Sequence, residues 1–242
     1  MKKFIAITLF FALLACSSDG DLGSEKSDGI GGSLAIFALK GDYLYAVDDQ
    51  NLSVFSILNG DNPVKVNDVN IGFRIETLFS SGSYLYIGSQ NGMYIYSIEN
   101  PENPQLLSAV QHISSCDPVV ANATNAYVTL HSNSWCGNAT NVLEVYDTAD
   151  PLNPILIHSR NLVQPKGLGL YNNYLFVCDD ELKIFDITNP VEPILVGSLS
   201  VICFDVIIVE DTLFAVGDDA VSRYTLNPNN IADISLQSSV AF

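Results

Sequence analysis

The sequence predicts an all-β fold, a five-bladed β-propeller of four-stranded antiparallel blades. Three observations carry that expectation. An aromatic residue within a strand-like run recurs at Phe55, Tyr96, Tyr146, Phe185 and Tyr224, at intervals of 41, 50, 39 and 39 residues. A proline follows eight residues after it in four of the five units, at Pro63, Pro104, Pro154 and Pro193. A short apolar run precedes each aromatic: Tyr43-Leu44-Tyr45, Tyr84-Leu85-Tyr86, Ala126-Tyr127-Val128, Tyr174-Leu175-Phe176 and Thr212-Leu213-Phe214. Four-stranded units repeating about every 40 residues are the mark of a propeller.

The fourth unit shows the reading most clearly, with strands expected at 167–170, 174–178, 182–187 and 194–199. These runs are rich in Val, Ile, Leu, Tyr and Phe and are separated by Gly, Asn, Asp and Pro. After residue 20 no stretch of twelve or more residues has helical periodicity. Proline inside a strand removes a ladder hydrogen bond, so the recurring prolines belong between strands. The fifth unit lacks its proline and carries Asn227-Pro228-Asn229-Asn230 instead; terminal repeats are often atypical. Five units fill residues 33–242, long enough for a full core. Closing the ring protects the edges that an open array or a two-sheet sandwich leaves exposed.

The unit aromatic-Asp-Ile/Val-Ser/Thr-Asn/Asp-Pro, followed by Pro and Leu-Val-Gly, resembles the LVIVD repeat of bacterial surface and envelope proteins. Ile184-Phe185-Asp186-Ile187-Thr188-Asn189-Pro190 with Pro193 and Ile194-Leu195-Val196-Gly197 carries the resemblance best. Val145-Tyr146-Asp147-Thr148-Ala149-Asp150-Pro151 is close behind, while the first unit departs with Ser56 and Asn59-Gly60-Asp61. The resemblance implies the propeller fold and no particular ligand.

Residues 1–15 read as an export signal. Lys2 and Lys3 precede an apolar run over 4–14, too short to span a bilayer. It ends in Leu13-Leu14-Ala15-Cys16, which resembles the bacterial lipoprotein box and implies lipidation of Cys16. Several acyl chains on one residue suffice for stable anchoring. Residues 16–32 form a Ser-, Gly- and acid-rich tether. Acid close behind a lipidated cysteine resembles the surface-export signal of Bacteroidetes lipoproteins, so the expected location is the outer membrane, facing the cell surface.

The chain holds 27 acidic and 10 basic residues, a formal net charge of −17. Such a surface repels nucleic acid and anionic lipid and leaves envelope or extracellular proteins and glycans as the partners. A monomer, or a subunit of an envelope complex, is expected. No nucleophile elbow, metalloprotease pair or phosphate loop is present, so the chain is read as non-enzymatic, without a cofactor or metal. A scaffold role in an outer-membrane assembly is the competing reading; a glycan-active enzyme with paired carboxylates is a third.

Beyond Cys16 the cysteines are Cys116, Cys136, Cys178 and Cys203. An even number in an exported chain suggests disulfides. Propeller topology puts the connection entering a blade and the one between its second and third strands on the same face. Cys116 and Cys136 occupy two such connections of the third blade and are expected to pair. Cys178 and Cys203 lie on the same face; either they pair or Cys178 is a buried thiol. The spacing of His112, His131, Cys116 and Cys136 fits no standard zinc site.

The extended loop over 129–141 holds His131 and Trp135. Trp135 either contacts a partner or covers the disulfide. Arg74, Asp117, Lys166 and Asp205 begin the innermost strands and are expected to ring the channel mouth. There they either hold a polar ligand or pair internally. Asp48-Asp49, Asp179-Asp180 and Asp218-Asp219 read as hairpin turns rather than calcium ligands.

Overall fold

The computed structural model describes residues 31–72, 74–111, 118–132 and 140–242. Its twenty strands fall into five antiparallel sheets of four, each in simple consecutive order. Blade 1 comprises β1 (Phe37–Lys40), β2 (Tyr43–Val47), β3 (Asn51–Ser56) and β4 (Val64–Asn70). Blade 2 comprises β5 (Ile75–Ser81), β6 (Tyr84–Ser89), β7 (Gly92–Ser97) and β8 (Gln105–Gln111). Blade 3 has β9 (Val119–Ala121), β10 (Asn125–Leu130), β11 (Val142–Asp147) and β12 (Ile155–Asn161). Blade 4 has β13 (Leu168–Tyr171), β14 (Tyr174–Cys178), β15 (Leu182–Asp186) and β16 (Ile194–Leu199). Blade 5 has β17 (Asp205–Val209), β18 (Thr212–Val216), β19 (Ala220–Thr225) and β20 (Ser235–Ala241).

The recurring motif has a physical basis at each position. In all five blades the register between third and fourth strands shifts just before the aromatic, at Val54/Phe55, Ile95/Tyr96, Val145/Tyr146, Ile184/Phe185 and Arg223/Tyr224. Such a bulge raises the local twist. The acid after the aromatic then shapes the turn: Asp147 accepts the Ala149 amide at 2.9 Å and Asp186 accepts the Thr188 amide at 2.8 Å. The Thr188 hydroxyl, and after it the Thr188 amide, holds the Asp186 carboxyl below its usual range. The proline-marked turn leaves carbonyls to bind the neighbouring blade. Pro101 accepts from the Tyr45 hydroxyl, Pro151 from Ser108 and Pro193 from the Arg160 guanidinium, at 3.0, 2.7 and 3.0 Å.

The core lies between blades, and the repeat dictates it. At each internal interface the third residue of one blade's second strand meets the second residue of the next blade's. Tyr45 joins Leu85, Tyr86 joins Ala126, Tyr127 joins Leu175 and Phe176 joins Leu213 in four apolar clusters. All eight are buried to 1 % exposure or less. Among the described residues no cluster joins blade 5 to blade 1. The equivalent pair there, Phe214 and Leu44, remains half-exposed, as do Phe55 and Ile57 on the same blade 1 wall. The ring expected from the sequence is thus packed at four interfaces and carries a seam at the fifth.

At the axis, residues 31–35 bridge that seam. Ser33 donates its hydroxyl to Asp205 at 2.9 Å and accepts the Leu168 amide at 2.8 Å. The Leu34 amide reaches Asp205 at 3.4 Å, and Ala35 accepts the Leu78 amide at 2.7 Å. The segment therefore ties blades 4 and 5 to blade 2. Gly31 and Gly32, read from the sequence as the end of the tether, are packed within this latch. A Cβ on Gly32 would sit 2.2 Å from the Asp205 carboxylate, and one on Gly167 2.3 Å from it. Both positions need glycine because the carboxylate lies between their backbones.

Candidate functional site

The connections entering the first strands share one face with those between second and third strands, and the expected site residues that the structure describes gather there. Cys116, Asp117, Trp135, Cys136, His112 and Cys16 lie outside the described residues. Arg74, just before β5, has a positive φ of 54° and donates to its own blade's Gln90 at 2.5 Å. Lys166, His131 and Asp205 lie along one arc over blades 3 to 5. The Thr129 hydroxyl donates to the Lys166 carbonyl. Burial, and secondarily the Lys166 charge, pushes the His131 imidazole down in pKa. Gly167, next to Lys166, donates its amide to Phe204 at 2.8 Å.

A disulfide braces this arc. Cys178 and Cys203 are bonded, with Cα atoms 5.4 Å apart, so the pairing left open by the sequence is present. The Lys166 amide donates to Cys178 at 2.7 Å and the Cys178 amide to Gly167 at 2.9 Å. The bond therefore links the entrance of blade 4 to that of blade 5.

Asp205 departs from its expected place as an open charge at the channel mouth. It is 7 % exposed and holds the latch. The reason is steric and electrostatic: two glycine backbones enclose it, and hydroxyl and amide donors compensate its charge only partly. Burial pushes its carboxyl up to about 6 against those donors. An acid whose folded pKa is raised is penalised when it ionises, so its contribution to stability falls as pH rises from about 4 to about 6. For a carboxyl raised from its ordinary value to about 6, the fall is about 3 kcal/mol. Asp205→Asn keeps an acceptor for Ser33 and cannot ionise. Urea unfolding at pH 4 and pH 7 should show the parent losing stability relative to this variant. Equal pH dependence in both proteins would refute the assignment.

Among the acidic hairpins Asp48 follows the turn reading, whereas Asp179 departs from it and ties its hairpin to the connection entering blade 4. Asp48 accepts the Gln50 and Asn51 amides at 2.8 and 2.7 Å. Asp179 is 4 % exposed, binds Lys183 at 2.5 Å and accepts the Val163 amide at 3.0 Å. Among the described residues no three His, Cys, Asp or Glu side chains form a group that could hold a metal ion.

The seam opens on the same face as a cleft of about 600 Å³. Phe37 and Leu39 line it from blade 1, Ile207 and Val216 from blade 5, and Leu34 and Asp205 at the latch. The cleft is apolar apart from that carboxylate, and its size and lining are those of small-molecule sites. Nothing in a linear repeat distinguishes a packed blade wall from an open one, so the cleft was not legible in the sequence.

Two blades match a known family model. The LVIVD repeat model covers residues 78–111 and 166–201. These spans are blade 2 from within β5 onward, and blade 4 with its entrance at Lys166. The LVIVD match thus includes Lys166, Gly167 and Cys178 from the braced arc. No curated protein sequence matches the chain. Many solved structures resemble it in fold. A functionally unknown protein from Desulfotomaculum acetoxidans has a TM-score of 0.65 at 11 % identity, covering 89 % of this chain and 69 % of its own. The periplasmic gluconolactonase of Pseudomonas aeruginosa gives 0.63 at 15 %, covering 83 % and 68 %. A Lactobacillus plantarum protein gives 0.66 at 13 %, covering 82 % and 67 %. At these identities the likeness is one of fold.

Proposed function

We propose that this is a non-enzymatic binding propeller, exported by residues 1–15, anchored in the outer membrane through lipidated Cys16, and facing the cell surface. Its loop-bearing face engages an envelope or extracellular protein, with Trp135 and Lys166 as contacts. The supporting observation is the braced arc: the Cys178–Cys203 bond fixes the entrances of blades 4 and 5 beside the connection that carries His131. A surface ordered before binding loses less entropy on association. The acidic charge of the chain favours a partner with basic groups.

Cross-linking on intact cells followed by capture of the full lipoprotein tests the reading. One defined partner is expected with the parent, and capture should fall at least tenfold with Trp135→Ala or Lys166→Glu. Retention of the partner by both variants would move the contact to the blade rims, as in a scaffold. Failure of Cys16→Ala to abolish incorporation of labelled palmitate would remove the anchor.

A further inference from the structure

The fifth blade breaks the repeat at one position that faces the seam. Just before the recurring aromatic, four blades carry Val54, Ile95, Val145 and Ile184, all buried to 3 % or less. Blade 5 carries Arg223 there, and it is exposed. Arg223 lies directly across from Phe214, which lies across from the cleft residue Ile207. Directly paired residues of neighbouring strands share a face, so Arg223, Phe214 and Ile207 stand in one row on the blade 5 wall. Among the described residues no carboxylate pairs with the guanidinium. A cation has thus replaced an interface aliphatic in a chain with only 10 basic residues, and it stands on the same wall as the cleft residue Ile207, outward of it past Phe214.

We propose that the seam binds a free long-chain carboxylate, with its hydrocarbon in the cleft and its head on Arg223. Charge complementarity selects the head, because a guanidinium takes a carboxylate through two parallel hydrogen bonds. Size selects the tail. The cleft of about 600 Å³ falls in the range of small-ligand pockets, about 300–1,000 Å³, and is far too small for a further blade. Shape agrees with both, since a slot between two sheet walls admits a linear chain lying along Phe37, Leu39, Ile207 and Val216. This proposal does not depend on the loop-face contact, which lies over blades 3 to 5.

The test is a titration of the full chain with palmitate below its micelle concentration, beside hexadecanol of the same chain length. Micromolar binding of palmitate is expected. Arg223→Ile, which restores the residue type of the other blades, should weaken palmitate at least tenfold and leave hexadecanol unchanged. Val216→Trp, which fills the slot, should weaken both at least tenfold while the unfolding midpoint stays within a few degrees of the parent. Equal affinities for acid and alcohol in the parent, palmitate affinity unaltered by Arg223→Ile, or no saturable binding would each overturn the proposal. So would a dimer in sedimentation that Val216→Trp dissociates, because a second copy would then occupy the seam.

Discussion

Phe176→Ala is expected to cost about 3–5 kcal/mol of stability, the range for deleting a fully buried aromatic ring. Phe176 has no exposed surface and sits in the cluster joining blades 4 and 5. Phe214 occupies the same repeat position one blade later and is half-exposed on the seam. Phe214→Ala is expected to cost roughly 1–2 kcal/mol, because less apolar area returns to water and the walls beside it are already open. Urea unfolding of both variants at one pH measures the contrast directly. Equal costs would mean that blade 5 packs on blade 1 as the other blades pack on one another, and the cleft would lose its physical basis.

Removing the Cys178–Cys203 bond carries the other large effect. The bond closes a loop with a sequence separation of 25 residues, and the chain-entropy relation gives about 3.5 kcal/mol for a loop of that size. The double variant Cys178→Ala, Cys203→Ala is therefore expected to unfold at clearly lower urea than the parent under non-reducing conditions. Capture of the partner should weaken with it, because the Lys166 amide donates to Cys178 and the Cys178 amide to the adjoining Gly167. A loss below about 1 kcal/mol would show that packing around these buried positions already fixes the two entrances. Digestion without reductant provides the covalent check, since a peptide linked through Cys178 and Cys203 must be recovered.

The sequence was most informative where local pattern decides structure. The strands expected at 174–178 and 194–199 match β14 and β16 in full, and the others of that unit lie within a residue. Even the fifth unit, without its proline, forms the outer strand β20. Alternating apolar residues and turn chemistry suffice for this because both act within a few residues. The site was less legible because its contacts join distant parts of the chain. Ser33 and Asp205 are 172 residues apart, and a Gly-rich stretch ahead of the first strand gives no sign that it will enclose a carboxylate. Asp205 looked like a channel charge because it begins an innermost strand; the glycine backbones of 32 and 167 make it an internal one. The departure at Arg223 was visible in the sequence, but it had no meaning until the wall it occupies was known to be open.

Each blade is one consecutive run of strands, and among the described residues no strand from the N-terminal side completes the C-terminal sheet. The molecule is therefore circular in shape and linear in cooperativity. Its stability propagates through four couplings in series, as in a solenoid whose units feel only their neighbours. Blade 3 is supported from both sides at every step, whereas blades 1 and 5 each lean on a single neighbour. Local opening accordingly begins at these two ends and reaches blade 3 last. The short bridge at Ser33 and Asp205 is what lets one end sense the other.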